Sequence, residues 1–179
     1  MTQEKIADIY LDGRHYDQLF TNGSEDLPFW ISRANQYGDP VLELACGTGR
    51  ITVALAQAGF NVTGIDNAEG MLREARRKSA EAGVEVEWIK ADMRDFDLGK
   101  TFPLIILPAN TLCHLLDLSD FEACLTNVRK HLVPNGSFVI DVFVPNVELL
   151  INKPDERFFF SEYDDPDGRG RIAVTESYV

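Results

Sequence analysis

The sequence predicts an α/β protein, a doubly wound parallel sheet with a helical cap before it and a β-hairpin extension after it. Three observations lead there. From Pro40 onward, short β-rich runs alternate with amphipathic segments at the spacing of right-handed βαβ crossovers. The β-rich runs are almost continuously apolar, as strands covered on both faces must be. A glycine-rich turn, Cys46-Gly47-Thr48-Gly49, then leads from the first run into the first helical pattern, where an open parallel sheet gathers its ligands.

Taken in order, residues 1–38 are rich in aromatics (Tyr10, Tyr16, Phe20, Phe29, Trp30, Tyr37) and read as helices capping the sheet. VLELA (41–45) is the first strand. Ile51, Ala54, Leu55 and Ala58 make one stripe of a helix that Gly59 ends. NVTGI (61–65) is a second strand, and 68–82 a second helix stopped by Gly83. VEVEWIK (84–90) alternates as a third strand, and FPLIIL (102–107) is a buried fourth. Ser119 with Glu122 reads as a capping box opening a helix whose stripe is Phe121, Cys124, Leu125, Val128 and Leu132. Pro134-Asn135-Gly136 should turn the chain into a fifth strand, 137–143. RFFFSEY and RIAVTESYV, joined by the turn-forming run DDPDGRG, read as a hairpin. The expected division is one domain: a cap over 1–38, a cofactor-binding core over 39–143 and an extension over 144–179.

Composition narrows the function. The 179 residues suit one domain, and 45% hydrophobic with 26% charged residues is ordinary for a globular chain. Seventeen Lys+Arg against twenty-nine Asp+Glu give a net charge of −12, which repels nucleic-acid phosphates and anionic lipid. Cys46, Cys113 and Cys124 are odd in number and widely spaced, with no C-x-x-C pair. That argues against a disulfide scaffold or a cysteine-rich zinc site and suits a reducing cytoplasm; no metal is expected. The first residues lack a signal-peptide pattern, and the best apolar run, FPLIILPA, is too short to cross a bilayer.

The candidate chemistry lies at the strand ends. Glu43 sits in strand one, Asp66 ends strand two and Asp92 follows strand three, so all three should meet near the glycine turn as an acidic ring. A dinucleotide would bring its pyrophosphate to that turn, and extra negative charge opposes this. The third glycine of G-x-G-x-x-G is also absent, with Thr52 in its place. A ligand without phosphate but with a ribose diol, an ammonium and an exocyclic amine suits the ring better. S-adenosylmethionine is such a ligand.

VLELACGTGR, GIDNAEGML, ADMRDF and the LPAN turn resemble the class I S-adenosylmethionine-dependent methyltransferases over about residues 39–143. The resemblance implies that Glu43, Ala45, Gly47 and Gly49, with Cys46 between them, surround the methionine portion of the cofactor. Asp66 would hold the ribose hydroxyls, with Asn67 and Met71 beside the adenosine. Asp92 would face the adenine amine and Met93 the ring, while Pro108, Ala109 and Asn110 would lie near the transferable methyl. Tyr16, in Tyr16-Asp17, resembles a segment that closes over the cofactor. Ala45 departs from the family's usual glycine by one methyl group, and binding is expected to survive. Family members usually finish with two further strands, so by resemblance the chain reads as truncated. Its fifth strand would be an exposed edge open to a homo-oligomer.

Plainer roles stand beside these. Asp66 also fits a helix N-cap, Glu43 an acceptor of backbone amides, and Cys46 a small filler rather than a nucleophile. His114 follows the strand-four turn closely enough to act as a general base or to orient the acceptor, and equally fits a capping position. His131 should complement a helix dipole, and Arg76-Arg77-Lys78 should be a solvated face. The expected activity is methyl transfer to a nitrogen or oxygen nucleophile of a small molecule, releasing S-adenosylhomocysteine. LPAN lacks the Pro-Pro-aromatic signature of nucleobase methyltransferases. The alternatives are a non-catalytic methyltransferase-like fold and an NAD-dependent oxidoreductase.

Overall fold

Successive side chains of a strand point to opposite faces, and that alternation distributes the apolar runs between two cores. In β1 (Val41–Leu44), Leu42 and Leu44 enter one core and Val41 the other. In β4 (Phe102–Leu107), Ile105 and Leu107 face the first core and Leu104 and Ile106 the second, while Phe102, before an irregularity in the pairing with the next strand, breaks the alternation and joins the first. The computed structural model describes residues 8–20, 23–144 and 157–177. Parts of the expected cap (1–7, 21–22) and extension (145–156, 178–179) lie outside the described residues.

With β2 (Val62–Asp66), β3 (Glu87–Lys90) and β5 (Leu132–Ile140), the strands form a parallel sheet in the order β3-β2-β1-β4-β5. Chain order reverses at β1, whose neighbours are β2 and β4, so the crevice at the carboxyl ends of these strands is the topological switch point. Trp30 and Ala34 of α2 (Leu27–Tyr37) and Ile51 and Leu55 of α3 (Arg50–Gln57) cover one face. Cys124 and Val128 of α5 (Leu118–His131) cover the other, which makes the sheet doubly wound. α4 (Glu69–Ala82) packs on β2 and β3 and ends at Gly83 in the left-handed conformation, as its sequence predicts.

Several boundaries differ from expectation. β3 begins at Glu87 rather than Val84. α5 is capped by Asp117, whose carboxylate accepts from Asp120 N–H at 2.9 Å. Ser119 instead donates its hydroxyl to that same Asp117, so the expected capping box does not form. Pro134-Asn135-Gly136 does not precede β5 but lies inside it. Between the pairs Phe102–Leu132 and Leu104–Ser137, β4 advances two residues while β5 advances five, and the surplus is a bulge with Asn135 at φ 65°. β5 ends at Ile140, because Phe143 N–H is taken by the Asn110 side chain instead of a strand partner. His131 is buried and held by backbone: Nδ1 donates to the Asn127 carbonyl (2.8 Å) and Nε2 accepts from Leu98 N–H (3.1 Å). It anchors a loop, and the expected complement to the helix dipole gives way to that role.

α1 (Gly13–Phe20) docks the cap on α4. Contact is close because residue 70 is glycine: a Cβ there would stand 1.9 Å from the Leu11 carbonyl oxygen. β6 (Phe158–Asp164) and β7 (Arg171–Glu176) form a separate antiparallel hairpin. It reaches α1 through His15 Nδ1–Tyr163 Oη (3.0 Å), Arg14–Asp167 (2.8 Å) and the Phe20–Phe160 rings. No helix among the described residues is long and apolar enough to cross a membrane.

Candidate active site

The turn after β1 is built from backbone conformations that side chains rarely tolerate. Gly49 opens α3 at φ 80°, and a Cβ on it would lie 2.7 Å from Trp88 Cη2, so the position excludes a side chain. Ala45 also lies in the left-handed region, at φ 49°, a conformation that costs a non-glycine residue roughly 1–2 kcal/mol. The family's usual glycine would adopt it freely. Cys46 is buried beneath the turn, its N–H donating to the Ile65 carbonyl, and burial pushes its thiol well above the usual range. It fills space there and carries no nucleophilic environment.

Asp66, at the carboxyl end of β2, joins the turn to the next crossover. Its Oδ2 accepts from Gly47 N–H and its Oδ1 from Ala68 N–H, each at 2.8 Å. It therefore braces the entry to α4 while its carboxylate still borders the cleft. Burial raises its pKa against the opposing pull of those amides, and the residue is 8% exposed.

The expected acidic ring is not what the structure builds. Glu43 is only 3% exposed and does not border the cleft. Burial raises its pKa to about 8, against a hydrogen bond from the Thr52 hydroxyl, so near neutral pH it is mostly protonated. Thr52, standing where the dinucleotide fingerprint has its third glycine, supplies the donor for this buried group. Asp92 does border the cleft, but Arg94 neutralises it: Arg94 Nε (3.0 Å) and Nη2 (2.7 Å) donate to its two oxygens. Depth along a strand and ion pairing within a loop are set by tertiary packing, so the charge count alone overstated the ring.

The cleft has a volume of about 570 Å³. Of the fifteen candidate residues, nine border it: Tyr16, Ala45, Asp66, Asn67 and Met71 on the β1–β2 side, and Asp92, Met93, Ala109 and His114 across from them. The other six stand behind this wall. Besides Glu43 and Cys46, Gly47 and Gly49 shape the turn, Pro108 is buried, and Asn110 turns its side-chain oxygen to Phe143 N–H. Tyr10, which carries no sequence motif, and Arg94, which lies within ADMRDF without an expected role, also border the cleft. Tyr10 Oη lies 3.2 Å from His114 Nε2, and its ring is 5.8 Å from that of Tyr16. Burial, then the Asp66 charge, raises the Tyr10 pKa. These two tyrosines thus belong to the cleft, whereas Trp30 lies in the core. A second concavity of about 590 Å³, at the opposite ends of β1–β3, includes Pro40, Asn61 and Lys100 and gathers none of the candidates.

The cap is tied directly to this turn. Thr48 Oγ1 donates to Asp17 Oδ1 (2.6 Å), while Lys78 Nζ donates to Thr48 Oγ1 (3.0 Å) and pairs with Asp17. Lys78 is therefore a bridge between α4, the turn and α1, not part of a solvated basic face.

Comparison with known proteins agrees with this geometry. Residues 41–136 match the family described as "Methyltransferase domain". A putative methyltransferase of Bacillus subtilis is 32% identical over 129 residues, 71% of this chain and 52% of its own length. A dTDP-3-amino-3,6-dideoxy-α-D-glucopyranose N,N-dimethyltransferase of Streptomyces fradiae is 28% identical, over 76% of this chain and 51% of its own. Among solved structures, a glycopeptide N-methyltransferase complexed with sinefungin superimposes with a TM-score of 0.64 at 26% identity, covering 89% of this chain and 68% of that one. The chain spans about half the length of the curated relatives it matches. A family match over more than half the sequence, on a sheet whose switch point carries this cleft, places the chain in the class I S-adenosylmethionine-dependent methyltransferase family.

Proposed function

We propose that the chain binds S-adenosylmethionine in this cleft and uses it to methylate a nitrogen or oxygen nucleophile of a small molecule, releasing S-adenosylhomocysteine. The observation that carries the reading is Asp66: a carboxylate fixed by two backbone N–H groups at the switch point, bordering a cleft of ligand size. The turn also suits a ligand without phosphate. Gly47 N–H is committed to Asp66 and Gly49 N–H to the Cys46 carbonyl at 2.9 Å, which leaves neither amide for a pyrophosphate. That counts against a nicotinamide dinucleotide.

In this reading Asp66 accepts from the ribose hydroxyls, and Asn67 and Met71 flank the adenosine. Asp92 accepts from the adenine amine, and Met93 packs on the ring. Ala45, with Gly47 and Gly49 behind it, shapes the wall for the methionine portion, and Tyr16 covers it. Pro108, Ala109 and Asn110 form the turn near the methyl group. When bound, the cofactor supplies a methyl group on a positively charged sulfur. The chain's task is alignment, which supplies up to about 7–11 kcal/mol in such reactions. His114 receives the proton that the acceptor loses, with its ring oriented by Tyr10. A nitrogen acceptor is the better supported, because the Streptomyces fradiae relative and the glycopeptide neighbour are N-methyltransferases by name. The negative net charge argues against nucleic-acid acceptors, and free cysteines suit a cytoplasmic setting.

Calorimetric titration with S-adenosylhomocysteine tests this. Micromolar binding is expected, weakened at least ~10-fold in Asp66→Asn, which keeps an acceptor oxygen for one of the two backbone amides but loses the other acceptor and the charge. NADH should not bind. Tight NADH binding, or no binding of S-adenosylhomocysteine to the unaltered chain, overturns the proposal.

A further inference from the structure

Arg94 lies two residues beyond Asp92, and both border the cleft. Its backbone N–H (2.9 Å) and Nε (3.0 Å) donate to Asp92 Oδ1, and Nη2 donates to Oδ2 (2.7 Å). Its other terminal nitrogen, Nη1, donates to Asp120 Oδ2 at 2.8 Å, near the start of α5. The Arg94 carbonyl, in turn, accepts from the Asn127 side chain at 2.5 Å, farther along the same helix. Both ends of Arg94 are thus fastened to α5, and the planar fork of the guanidinium dictates the plane of the Asp92 carboxylate. Each carboxylate oxygen carries more than one acceptor direction, so Asp92 keeps capacity on the side facing the cleft.

We propose that Arg94 is a positioning residue that aims Asp92 at the exocyclic amine of the bound nucleoside and thereby sets the site's preference for an amino over an oxo purine. The inference rests on the S-adenosylmethionine reading above. A carboxylate fixed as an acceptor rewards an amine and opposes a carbonyl oxygen at the same place, and misplaced buried polar groups are what make such selection strong. Burial raises the Asp92 pKa, but its bonds from Arg94 outweigh this and hold it below the usual range. Without Arg94, Asp92 can turn away or take up a proton, and a protonated carboxyl can donate to a carbonyl oxygen.

The test compares S-adenosylhomocysteine with S-inosylhomocysteine, the same molecule with an oxo group in place of the amine. The unaltered chain should favour the amino form by about 30-fold or more. Arg94→Met should cut that ratio to about fivefold or less, and Asp120→Asn, which removes the charge from the α5 end of the fork and so weakens that anchor alone, should give an intermediate ratio. A general loosening of the cleft weakens both ligands together and leaves the ratio alone, so a merely structural Arg94 is distinguished. If Arg94→Met fails to fold, Asp120→Asn and Arg94→Lys carry the same ratio test. Equal binding of the two ligands by the unaltered chain overturns the inference, as does a ratio unmoved in every variant. Failure of the unaltered chain to bind S-adenosylhomocysteine instead overturns the underlying cofactor reading.

Discussion

A carboxyl group sealed beneath the glycine turn makes the chain's stability depend on pH in a direction opposite to that of most paired acids. Glu43 is buried against the Thr52 hydroxyl with its pKa raised to about 8, whereas in the unfolded chain it titrates near 4.5. Between those values the native state holds a proton that the unfolded state has released. The group's contribution to stability is therefore complete below about pH 4.5 and declines as pH rises, by up to ~1.4 kcal/mol per pH unit, until it levels off above pH 8. Melting temperature followed from pH 5 to 9 should fall less steeply in Glu43→Gln than in the unaltered chain, because glutamine keeps an acceptor for Thr52 and carries no ionisable group. Parallel curves for the two proteins would refute this account. The same residue shows what a sequence can and cannot convey at this scale. Asp66 and Asp92 are readable because parallel strands deliver their carboxyl ends to one crevice, while Asn67, Met71 and Met93 are expected only through the family resemblance. Glu43 belongs to the same series, but its place inside β1 rather than at its end puts it a layer below the cleft. Arg94 and Tyr10 reach the cleft through an ion pair and a docked cap, neither of which has a periodicity to read.

At the scale of elements, the apolar runs foretold each strand of the sheet, while the ends were set by local hydrogen bonds. Asp117 outcompetes Ser119 for the N-terminus of α5 because a charged acceptor makes the stronger cap. Pro134-Asn135-Gly136 has turn chemistry, yet pairing with β4 resumes on both sides of it, so the turn becomes a bulge. The cap offers the clearest consequence. Asp17, Thr48 and Lys78 connect α1, the glycine turn and α4 in one half-buried polar cluster, and α1 carries Tyr16 to the cleft. Lys78→Met keeps the aliphatic stem and removes the cation beside the Asp17 carboxylate. We expect a loss of ~1–3 kcal/mol, concentrated in the cap. Hydrogen exchange of amides in residues 13–20 should accelerate while amides of β1 and β4 stay protected. Adding Asp17→Asn should restore part of the loss, since the two changes act on one pair. Uniform acceleration across the sheet, or none in α1, would show that the cap is held by other contacts.

For the molecule as a whole, net charge bears on function through the ligands it distinguishes. The substrate form of the proposed cofactor carries one positive charge more than its product, because methyl transfer discharges the sulfur. A chain of net charge −12 attracts the first beyond whatever contacts the two share. Treated as a sphere of about 20 Å radius, it offers a single positive charge at its surface about 1.5 kcal/mol at 0.01 M salt and about 0.5 kcal/mol at 0.3 M. The difference, about 1 kcal/mol, is close to fivefold in affinity. Specific pairs around the cleft do not cancel this, because Arg94 is matched by Asp92 and Asp120, and the proton that Glu43 holds near pH 7 removes only a single negative charge from the total of −12. Binding of S-adenosylmethionine should therefore weaken about fivefold across that salt range, and binding of S-adenosylhomocysteine should change less than about twofold. Titrating both ligands at the two ionic strengths measures the gap directly. A common salt dependence would mean that local groups, rather than the global charge, govern the field at the sulfur. Divergent curves would mean that the acidic surface itself favours the charged methyl donor over its spent product and so lessens product inhibition at low salt.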